Sequence, residues 1–369
     1  MQSKAPRLVA LDALRGLTIA GMILVNYAGI FKGMYWPFRH AAWHGFTPTD
    51  LVFPSFLFIV GASMWYAHKS AQHRLTNALA LKVVRRTIII FLIGLLMNFP
   101  GYLINGNGLR LPGVLQRIAL CYGVASFLAL LLPVRRLLTI SALILLGYWG
   151  LLLVFGQEDP LSLAGNAVRR MDLALLGPQH LYLHYGIPFD PEGLLSTLPA
   201  LVNVIAGYLA GRLVDVAQDR KRAMLTLFLW GIVLFFLGQM LSIWLPLNKS
   251  IWTSSYTIYT IGMDLILLAF MVWLSDVKQW ARLATPFVIF GENPLFIYVV
   301  ASLWESALLT IRLKTQLGTT QSLIYWLNDH LFAPWLGSVA GGATMALAHV
   351  LGFLGLAWAL HRKRIIIKI

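Results

Sequence analysis

The sequence predicts an all-α membrane protein, a polytopic helical bundle of about ten transmembrane helices with both termini in the cytoplasm. Three observations lead to this fold class. Of the 369 residues, 59% are hydrophobic and 12% are charged, against about 25% charged in an ordinary soluble domain, and the mean hydropathy is +0.74. The apolar residues form long runs, and many of the 13 Trp and 13 Tyr residues lie near the ends of these runs, as in interfacial aromatic belts. This composition excludes a soluble enzyme.

The apolar runs give the number of spans, because the hydrocarbon core takes roughly 20 helical residues. Asp12 and Arg15 interrupt the first run and no small-x-small cleavage site follows it, so we expect an uncleaved helix and not a secretory signal. The segment 322–337 is apolar but short and contains Pro334, which predicts an interfacial or re-entrant piece. The ten predicted spans are 8–30, 49–67, 84–99, 113–132, 137–155, 194–213, 224–245, 254–274, 284–302 and 340–361.

The basic residues orient the bundle. Nineteen of the 29 Lys and Arg residues fall on the side of the termini, eight on the opposite side, and two, Arg15 and Arg117, inside predicted spans. Short loops rich in Lys and Arg stay cytoplasmic, so both termini are predicted to be cytoplasmic and the loop 156–193 extracytoplasmic. The net charge of +15 is spread over short clusters and forms no single stripe, so no nucleic-acid partner is expected.

The chain shows no internal boundary. Because no Gly/Ser linker, repeat or low-complexity tract divides it, we expect residues 1–369 to form a single transmembrane domain that contains the long loop 156–193. A loop of that length is usually functional. The single cysteine, Cys121, lies in an apolar run, which excludes a disulfide framework and a cysteine-based metal site.

Ionisable side chains inside apolar runs are candidates for function, for pairing or for a water-filled cavity, because each costs at least about 2.5–3.5 kcal/mol on insertion scales. Asp12 and Arg15 share a helical face and either pair with each other or serve a site. Arg117 begins the fourth span, where it either snorkels to the interface or binds a ligand. Asp264 and the Glu-Asn-Pro segment 292–294 indicate either a packed polar network or a site.

The densest polar constellation lies between the first two spans. His40 offers an imidazole that takes a proton or accepts an acyl group. Asp50 begins the second helix, where it either caps the N-terminus or orients a ring nitrogen or an amine. Asn26 ends the first helix and could donate to a developing oxyanion. The three residues predict a catalytic group, and the alternative is that His40 is a solvated loop residue.

Two histidine pairs, His40 with His44 and His180 with His184, have the spacing that places two imidazoles on one helical face. Neither pair belongs to an H-E-x-x-H pattern, and no third ligand has a fitting spacing, so no metal is expected. No Walker loop, nucleophile elbow or dinucleotide fingerprint occurs in the sequence.

Several motifs, in the same order along the chain, resemble the heparan-α-glucosaminide N-acetyltransferase family of transmembrane acetyltransferases. Together they run through most of the chain, which is similar to shorter bacterial members without a lumenal domain. The motifs are LDALRG (11–16), His-Ala-x-Trp with TDLVFPSFLFIVG (40–61), RLPGVLQR (110–117), LLGPQHLYLH (175–184), FDPEGLLSTL (189–198), LPLNKSIWTSSY (245–256) and GENPLFIYV (291–299).

The resemblance implies an enzyme that moves acetyl from cytosolic acetyl-CoA to the amine of a glucosamine-type sugar on the far side of the membrane. It implies that His40 is the active-site histidine, with Asp50 ten residues on and Asn26 at the end of the preceding helix. His40 then serves as acetyl acceptor or as general base, which the sequence does not separate. His44 replaces the asparagine usual in the family, so a second imidazole competes for the assignment.

The donor and the acceptor are expected at opposite faces. The donor is a multiply charged anion, so its nucleotide should rest on the basic cytoplasmic face, with Arg15 and Arg117 as cofactor-binding candidates. The expected setting is a bacterial inner membrane, with membrane lipid and an amino-sugar acceptor as partners, and a homodimer is left open. The substrate-binding candidates are Asp190, Glu192, Asn248, Lys249 and Asn293.

Two other classes of protein compete with this prediction. Buried polar groups and a broken ninth helix also suit alternating access in an amino-sugar transporter. An O-acyltransferase that modifies envelope polysaccharide would need the same donor and a hydroxyl acceptor.

Overall fold

The computed structural model describes residues 8–106, 108–183, 185–314 and 319–367, so His184 lies outside the described residues. Helices dominate it, and one short antiparallel pair of strands, β1 (Arg312–Lys314) and β2 (Thr320–Ser322), follows the eleventh helix. The α-helices are α1 Val9–Gly29, α2 Pro48–His68, α3 Asn77–Asn105, α4 Val114–Leu131, α5 Val134–Phe155, α6 Ala167–Leu176, α7 Thr197–Val216, α8 Arg220–Leu241, α9 Ser254–Val272, α10 Ala281–Gly291, α11 Pro294–Thr310, α12 Leu323–Leu327, α13 Ala333–Leu336 and α14 Ser338–Arg362.

The predicted all-α polytopic membrane bundle is confirmed. Within the described ranges, eight helices are long and apolar enough to cross a membrane: α1, α2, α4, α5, α7, α8, α9 and α14. Two of them, α5 and α8, are only 17% buried in their apolar windows and expose large side chains such as Leu143, Val154 and Phe236. A water-soluble surface rarely exposes apolar patches of this extent, whereas lipid accommodates them.

Two predicted spans look different in the structure. The predicted span 284–302 is broken at the Glu-Asn-Pro segment, as the sequence led us to expect: α10 and α11 meet at residues 292–293 with a bend of 71° between Arg282–Gly291 and Pro294–Thr310. Proline lacks a backbone N–H and is favoured at the first position of a helix, which explains why α11 begins at Pro294. The predicted span 84–99 lies within α3, which is not among the eight helices above, so the count of ten stays a prediction.

The segment 322–337 does not form a long helix. It is divided into α12, a π-helical turn over Asn328–Phe332 and α13, and each piece is five residues long or shorter. A hydrocarbon core needs roughly 20 helical residues, so these pieces are too short to cross it, in agreement with the sequence-based expectation.

The chain divides into two compact units. The first unit comprises Met1–Ala41, Thr47–Val52 and Leu274–Lys368. In it α1 packs directly on α10, because a Cβ atom on Gly16 would lie 1.7 Å from the Phe287 carbonyl oxygen. Such contacts between small residues let helix backbones approach closely in membranes.

Helices α11 and α14 complete the packing around α1. The Tyr27 hydroxyl donates to the Ala301 carbonyl of α11 at 2.9 Å, and its ring stacks on His349 of α14 at 4.2 Å. Since α10 meets α1 beside Gly16 and α11 meets it beside Tyr27, α11 runs along α1 in the same direction. Arg15 and Asn26 therefore lie at opposite ends of the first unit.

The second unit comprises Ala42–Phe46 and Phe53–Trp273. Here α2 packs on α7 through Gly61 and Gly207, whose added Cβ atoms would each lie 1.8 Å from a carbonyl oxygen of the other helix. The loop 156–193 is largely ordered by its own helix α6 and by a cluster that includes Tyr148, Phe189 and Ile251. The Trp43 side chain packs against this cluster.

Candidate active site

His40 and Asp50 are hydrogen-bonded to each other in the first unit. The Nδ1 atom of His40 lies 2.6 Å from Oδ1 of Asp50, and the His40 side chain is 54% exposed whereas that of Asp50 is 1% exposed. A carboxylate is only an acceptor, so Nδ1 carries the hydrogen in this contact. The neutral ring then has its lone pair on Nε2, which is the form that takes a proton or attacks a carbonyl carbon.

Asp50 also caps α2. Its Oδ2 atom accepts hydrogen bonds from the backbone N–H groups of Ala41 and Thr47, each at 3.1 Å. Thr47 precedes Pro48, and the third helical residue, Asp50, reaches back to it as the acidic partner of a capping box does. The two interpretations of Asp50 are thus compatible, because one oxygen caps the helix while the other contacts His40.

His44 has a different environment from His40. Its Nδ1 atom lies 3.3 Å from Nδ2 of Asn248, and Oδ1 of Asn248 accepts from the Ile251 N–H at 3.0 Å, which sets the orientation of the amide. The amide therefore donates to Nδ1, and the hydrogen of neutral His44 is on Nε2, opposite to His40. Burial lowers the pKa of His44, although Asp159 opposes this shift.

The segment between the two histidines is anchored in the second unit. The indole N–H of Trp43 donates to the Leu161 carbonyl at 2.8 Å, and the Gly45 N–H donates to the Leu247 carbonyl at 2.8 Å. Residues 40–46 form a loop, so the expectation that His40 and His44 share a helical face is wrong. Over the part of the chain that the structure describes, no group of three or more His, Cys, Asp or Glu side chains is arranged to hold a metal ion.

Asn26 contacts a residue that the sequence analysis did not identify. Its Nδ2 atom lies 3.5 Å from Oε2 of Glu305, a partly buried residue of α11 in the same unit. Glu305 could have been identified from the sequence, because an acidic residue in an apolar helix is a candidate for function. It was missed because the predicted ninth span ended at residue 302.

Arg15 lies at the opposite end of α1 from Asn26. It donates to Asp12 at 2.7 Å and to the Gly291 carbonyl at 3.1 Å, so the expected pairing of Asp12 with Arg15 occurs. Arg15 and Asn26 are separated by about 16 Å along the helix at 1.5 Å per residue. The cofactor-binding candidate and the catalytic candidate of α1 are therefore at different ends of the first unit.

Arg117 is buried in the second unit at 1% exposure, so of the two alternatives, the one in which it snorkels to the interface is wrong. Its Nη2 atom donates to the carbonyls of Pro191 at 2.9 Å and Gly193 at 3.1 Å, and to the Ser196 hydroxyl. The guanidinium also lies 4.9 Å from the centre of the Trp252 ring, within cation–π range. Arg117 holds the start of α7 in place, and its role toward a cofactor stays a prediction.

The acidic candidates Asp190 and Glu192 both contact Arg110. The guanidinium makes a bidentate pair with Asp190 at 2.8 Å for each bond, and Nη2 also lies 2.6 Å from Glu192. The carboxylates hold the pKa of Arg110 above its usual value against the effect of burial. This triad orders the 188–193 segment, and sugar binding by either acid stays a prediction.

A further buried acid, Asp172 of α6, lies beside this segment. Its Oδ1 atom accepts from the Leu194 N–H at 2.9 Å, and Oδ2 has no hydrogen-bond partner among the described residues. Burial raises the pKa of Asp172 to about 7, with a further rise from Asp190 and opposing effects of the Leu194 N–H and Arg117.

The remaining substrate-binding candidates are divided between the units. Asn248 is fully buried and its N–H donates to Thr253 at 3.1 Å, so it shapes the turn that carries the half-buried Lys249. Asn293 lies beside Gly291, at the Arg15 end of the first unit, and its amide contacts the backbone of Ile365 at 3.0 Å and Ile367 at 2.8 Å. Asn293 is therefore not grouped with His40.

A protein-family model described as "Heparan-alpha-glucosaminide N-acetyltransferase, catalytic" matches residues 7–249, about two thirds of the chain. The chain belongs to this family. The match confirms the resemblance predicted from the motifs and includes Asn26, His40, Asp50 and Arg117. Glu305 lies beyond the matched region.

Two relatives of this N-acetyltransferase family, both named heparan-alpha-glucosaminide N-acetyltransferase, come from Mus musculus and Homo sapiens. Each is 30% identical to the chain, over 356 and 361 residues respectively. The alignments cover 81% and 82% of this chain but 54% and 53% of the relatives, so the chain spans about half the length of the relatives it matches.

Proposed function

We propose that the protein is a membrane-embedded acetyltransferase that moves acetyl from cytosolic acetyl-CoA to the amine of a glucosamine-type sugar on the extracytoplasmic side. The observation that carries the proposal is the 2.6 Å contact between the half-exposed His40 ring and the buried Asp50 carboxylate. A carboxylate in this position orients the imidazole and stabilises the imidazolium formed during transfer. Membership of the family supports the reaction class.

Two routes use the same histidine. In the first, Nε2 of His40 attacks the thioester carbonyl, the carbon–sulfur bond breaks, and the acetyl group then passes from the ring to the amine. In the second, the amine attacks the thioester directly while Nε2 takes its proton, and the thiolate leaves. In both routes the imidazole becomes positively charged, and Asp50 stabilises that charge.

The donor would approach from the basic cytoplasmic face, with its thioester reaching His40 through the bundle. Arg15, which pairs with Asp12, is the proposed contact for its charged part. Arg117 donates to Pro191 and Gly193, next to Asp190 and Glu192, so this proposal does not place it at the cytoplasmic face. The proposal places both termini in the cytoplasm of a bacterial inner membrane and the loop 156–193 outside. Asp190, Glu192, Asn248 and Lys249 belong to the proposed outward side, where the amino sugar would enter.

The central test uses His40→Ala with His44→Ala as its matched control. We expect purified His40→Ala to remain folded and inserted but to lose transfer of labelled acetyl from acetyl-CoA to glucosamine. His44 contacts an amide and no described carboxylate, so His44→Ala should retain much more activity. Near-normal transfer by His40→Ala would contradict the proposed role.

A second measurement separates the two routes. Incubation with labelled acetyl-CoA alone, followed by peptide mapping, should find label on His40 if the covalent route operates. Repeated absence of label, with transfer intact once amine is added, would instead support direct attack. An acceptor series in which hydroxyl-only sugars are modified would indicate an O-acyltransferase.

Transport of amino sugars is the second candidate function, and the 71° break between α10 and α11 favours it, because discontinuous helices form the binding sites of many transporters. However, Asn293 at this break contacts the backbone of Ile365 and Ile367, and Glu292 lies 2.9 Å from His361. The break is thus occupied by the C-terminal segment. Net sugar uptake by proteoliposomes without any acetyl donor would support transport.

A further inference from the structure

A buried imidazole ends α2 in the second unit. His68 is 1% exposed, and neither of its ring nitrogens has a hydrogen-bond partner among the described residues. A neutral imidazole carries one donor and one acceptor, and burying these groups without hydrogen bonds costs free energy. Buried polar atoms of this kind are normally satisfied by protein, ordered water or a ligand.

Positive charge collects around this ring. The charges of Lys82 and Arg86 on α3 act on His68, and the Arg86 guanidinium lies 5.0 Å from the centre of the Tyr122 ring. The charges of Lys69 and Arg212 act on His73.

Asp215 is the acid whose charge acts on His73. Asp215 pairs with Lys69 at 2.9 Å. Across the described residues, no acid is paired with Lys82, Arg86 or Arg212. The surface therefore keeps an excess of positive charge.

Aromatic rings hold the turn after α2 rigidly. His73 stacks on Trp65 with ring centres 3.8 Å apart, and Nδ1 of His73 lies 3.3 Å from the Tyr208 hydroxyl. Gln72 and His73 have φ angles of 52° and 54°, a left-handed conformation that costs non-glycine residues roughly 1–3 kcal/mol each. Such strain persists where surrounding contacts over-determine it, as the stacked ring does here.

We propose that this surface, the His68 cluster formed by His68, His73, Lys82, Arg86 and Arg212, binds a phosphate-bearing anion. Arginine and lysine donate charge-assisted hydrogen bonds to phosphate oxygens, and we assign the same anion as the missing partner of a His68 ring nitrogen. The phosphate belongs either to the nucleotide of coenzyme A or to the headgroup of an anionic lipid. The nucleotide case rests on the proposed function and deepens it, because it gives the donor a site in the second unit.

The positive-inside rule explains why basic residues lie on the cytoplasmic side, but it does not explain why Lys82 and Arg86 lie close to a buried imidazole. Arg135 and Arg136 are exposed at the start of α5 and also fall on the predicted cytoplasmic side. Neither of them is among the charges that act on His68 or on the stacked His73. They provide a matched control, because replacing both removes the same charge as replacing Lys82 and Arg86.

Three variants test the site. Lys82→Gln combined with Arg86→Gln removes two cations, and Arg135→Gln combined with Arg136→Gln removes two elsewhere. His68→Phe keeps a planar ring but removes both nitrogens that lack partners, so it should fold at least as stably as the wild type. A purely structural role of His68 would change the melting temperature and leave ligand binding unchanged.

The measurement has two arms. In phosphatidylcholine nanodiscs, free coenzyme A is titrated and its Kd is measured without turnover. In nanodiscs of phosphatidylcholine and phosphatidylglycerol, native mass spectrometry counts the phosphatidylglycerol molecules retained by the protein. We expect His68→Phe and the Lys82/Arg86 pair to weaken one of these ligands about tenfold, and the control pair to change it less than about twofold.

Each outcome is decisive. A loss confined to coenzyme A assigns the site to the donor, and a loss confined to phosphatidylglycerol assigns it to lipid. Equal binding by the wild type and the cluster variants in both arms, or no binding by the wild type, overturns the proposal. Binding of coenzyme A through the cluster without acetyl transfer would contradict the proposed function alone, and acetyl transfer with unchanged binding of both ligands in the variants would contradict this site alone.

Discussion

Replacing Asp50 with asparagine tests whether the carboxylate sets the tautomer of His40. Oδ2 of Asp50 accepts the N–H groups of Ala41 and Thr47, so the amide oxygen of Asp50→Asn should remain at that position. The amide NH₂ then faces Nδ1 of His40 in place of Oδ1. It donates to Nδ1, the ring hydrogen moves to Nε2, and the lone pair required for chemistry is lost.

The size of the loss in kcat follows from the free-energy cost of turning the amide of Asp50→Asn so that His40 regains its original tautomer. Turning the amide to restore the tautomer would leave two N–H groups without acceptors, at about 1–3 kcal/mol each. The total of about 2–6 kcal/mol corresponds to a fall in kcat of about 30-fold to about 3 × 10⁴-fold, since each 1.36 kcal/mol is a factor of ten. Asp50→Asn keeps the oxygen that caps α2 and loses only the negative charge at the N-terminus of the helix, so the free energy of unfolding should fall by about 1 kcal/mol.

The assay is single-turnover transfer of labelled acetyl to glucosamine by purified protein, with ring-nitrogen NMR of histidine reporting the tautomer. Thr49→Val is the matched control, because Thr49 is buried in the same helical turn and donates to the Pro37 carbonyl at 2.9 Å without contacting His40. Folded Asp50→Asn with a kcat within about fivefold of wild type would refute the reasoning. An equal loss in Thr49→Val would show that disturbance of the turn, and not the tautomer, is responsible.

Three further predictions concern stability in detergent. The pKa of Asp172 is about 7 in the folded protein against an ordinary value of 3.8, so the stability of the wild type should fall as the pH rises from about 4 to about 7. In Asp172→Asn the melting temperature should lose this pH dependence. If the melting temperature of Asp172→Asn falls with pH as steeply as that of the wild type, Asp172 is not the group responsible. Gly207→Ala should destabilise the protein by about 1–3 kcal/mol because its Cβ would meet the Phe58 carbonyl, whereas Gly147→Ala, which has open space, should be neutral or stabilising by thermal melting. Arg117→Lys keeps the charge but loses the planar guanidinium that lies 4.9 Å from the centre of the Trp252 ring and reaches the start of α7, so it should lower the melting temperature both with and without coenzyme A. A drop only with the ligand present would instead favour a direct contact.

The sequence predicted the membrane class and the family because both depend on features that are local in the chain. Long apolar runs identify spans wherever the helices pack, and motifs such as His-Ala-x-Trp are read without a fold. The pairing of Asp12 with Arg15 was also accessible, since three residues separate them on one helix. The single domain, the orientation and the catalytic roles stay predictions.

Other features could not be predicted because they depend on contacts between distant residues. Glu305 reaches Asn26 across 279 positions, and Arg117 is held by carbonyls more than 70 positions away. The sequence marks the break in the ninth span by its proline, but only the structure gives the angle of 71° between the two helices. Hydropathy averages over a window and does not give such an angle.

The sequence by itself determined that the chain must lie in lipid and which imidazoles were available, because the cost of exposing apolar helices to water depends only on composition and length. Only the tertiary structure distinguished those imidazoles. It placed a buried carboxylate against Nδ1 of His40 and an amide against Nδ1 of His44, so the two neutral rings carry their lone pairs on opposite nitrogens. A tautomer is decided by the partner across a hydrogen bond, and that partner is chosen by folding.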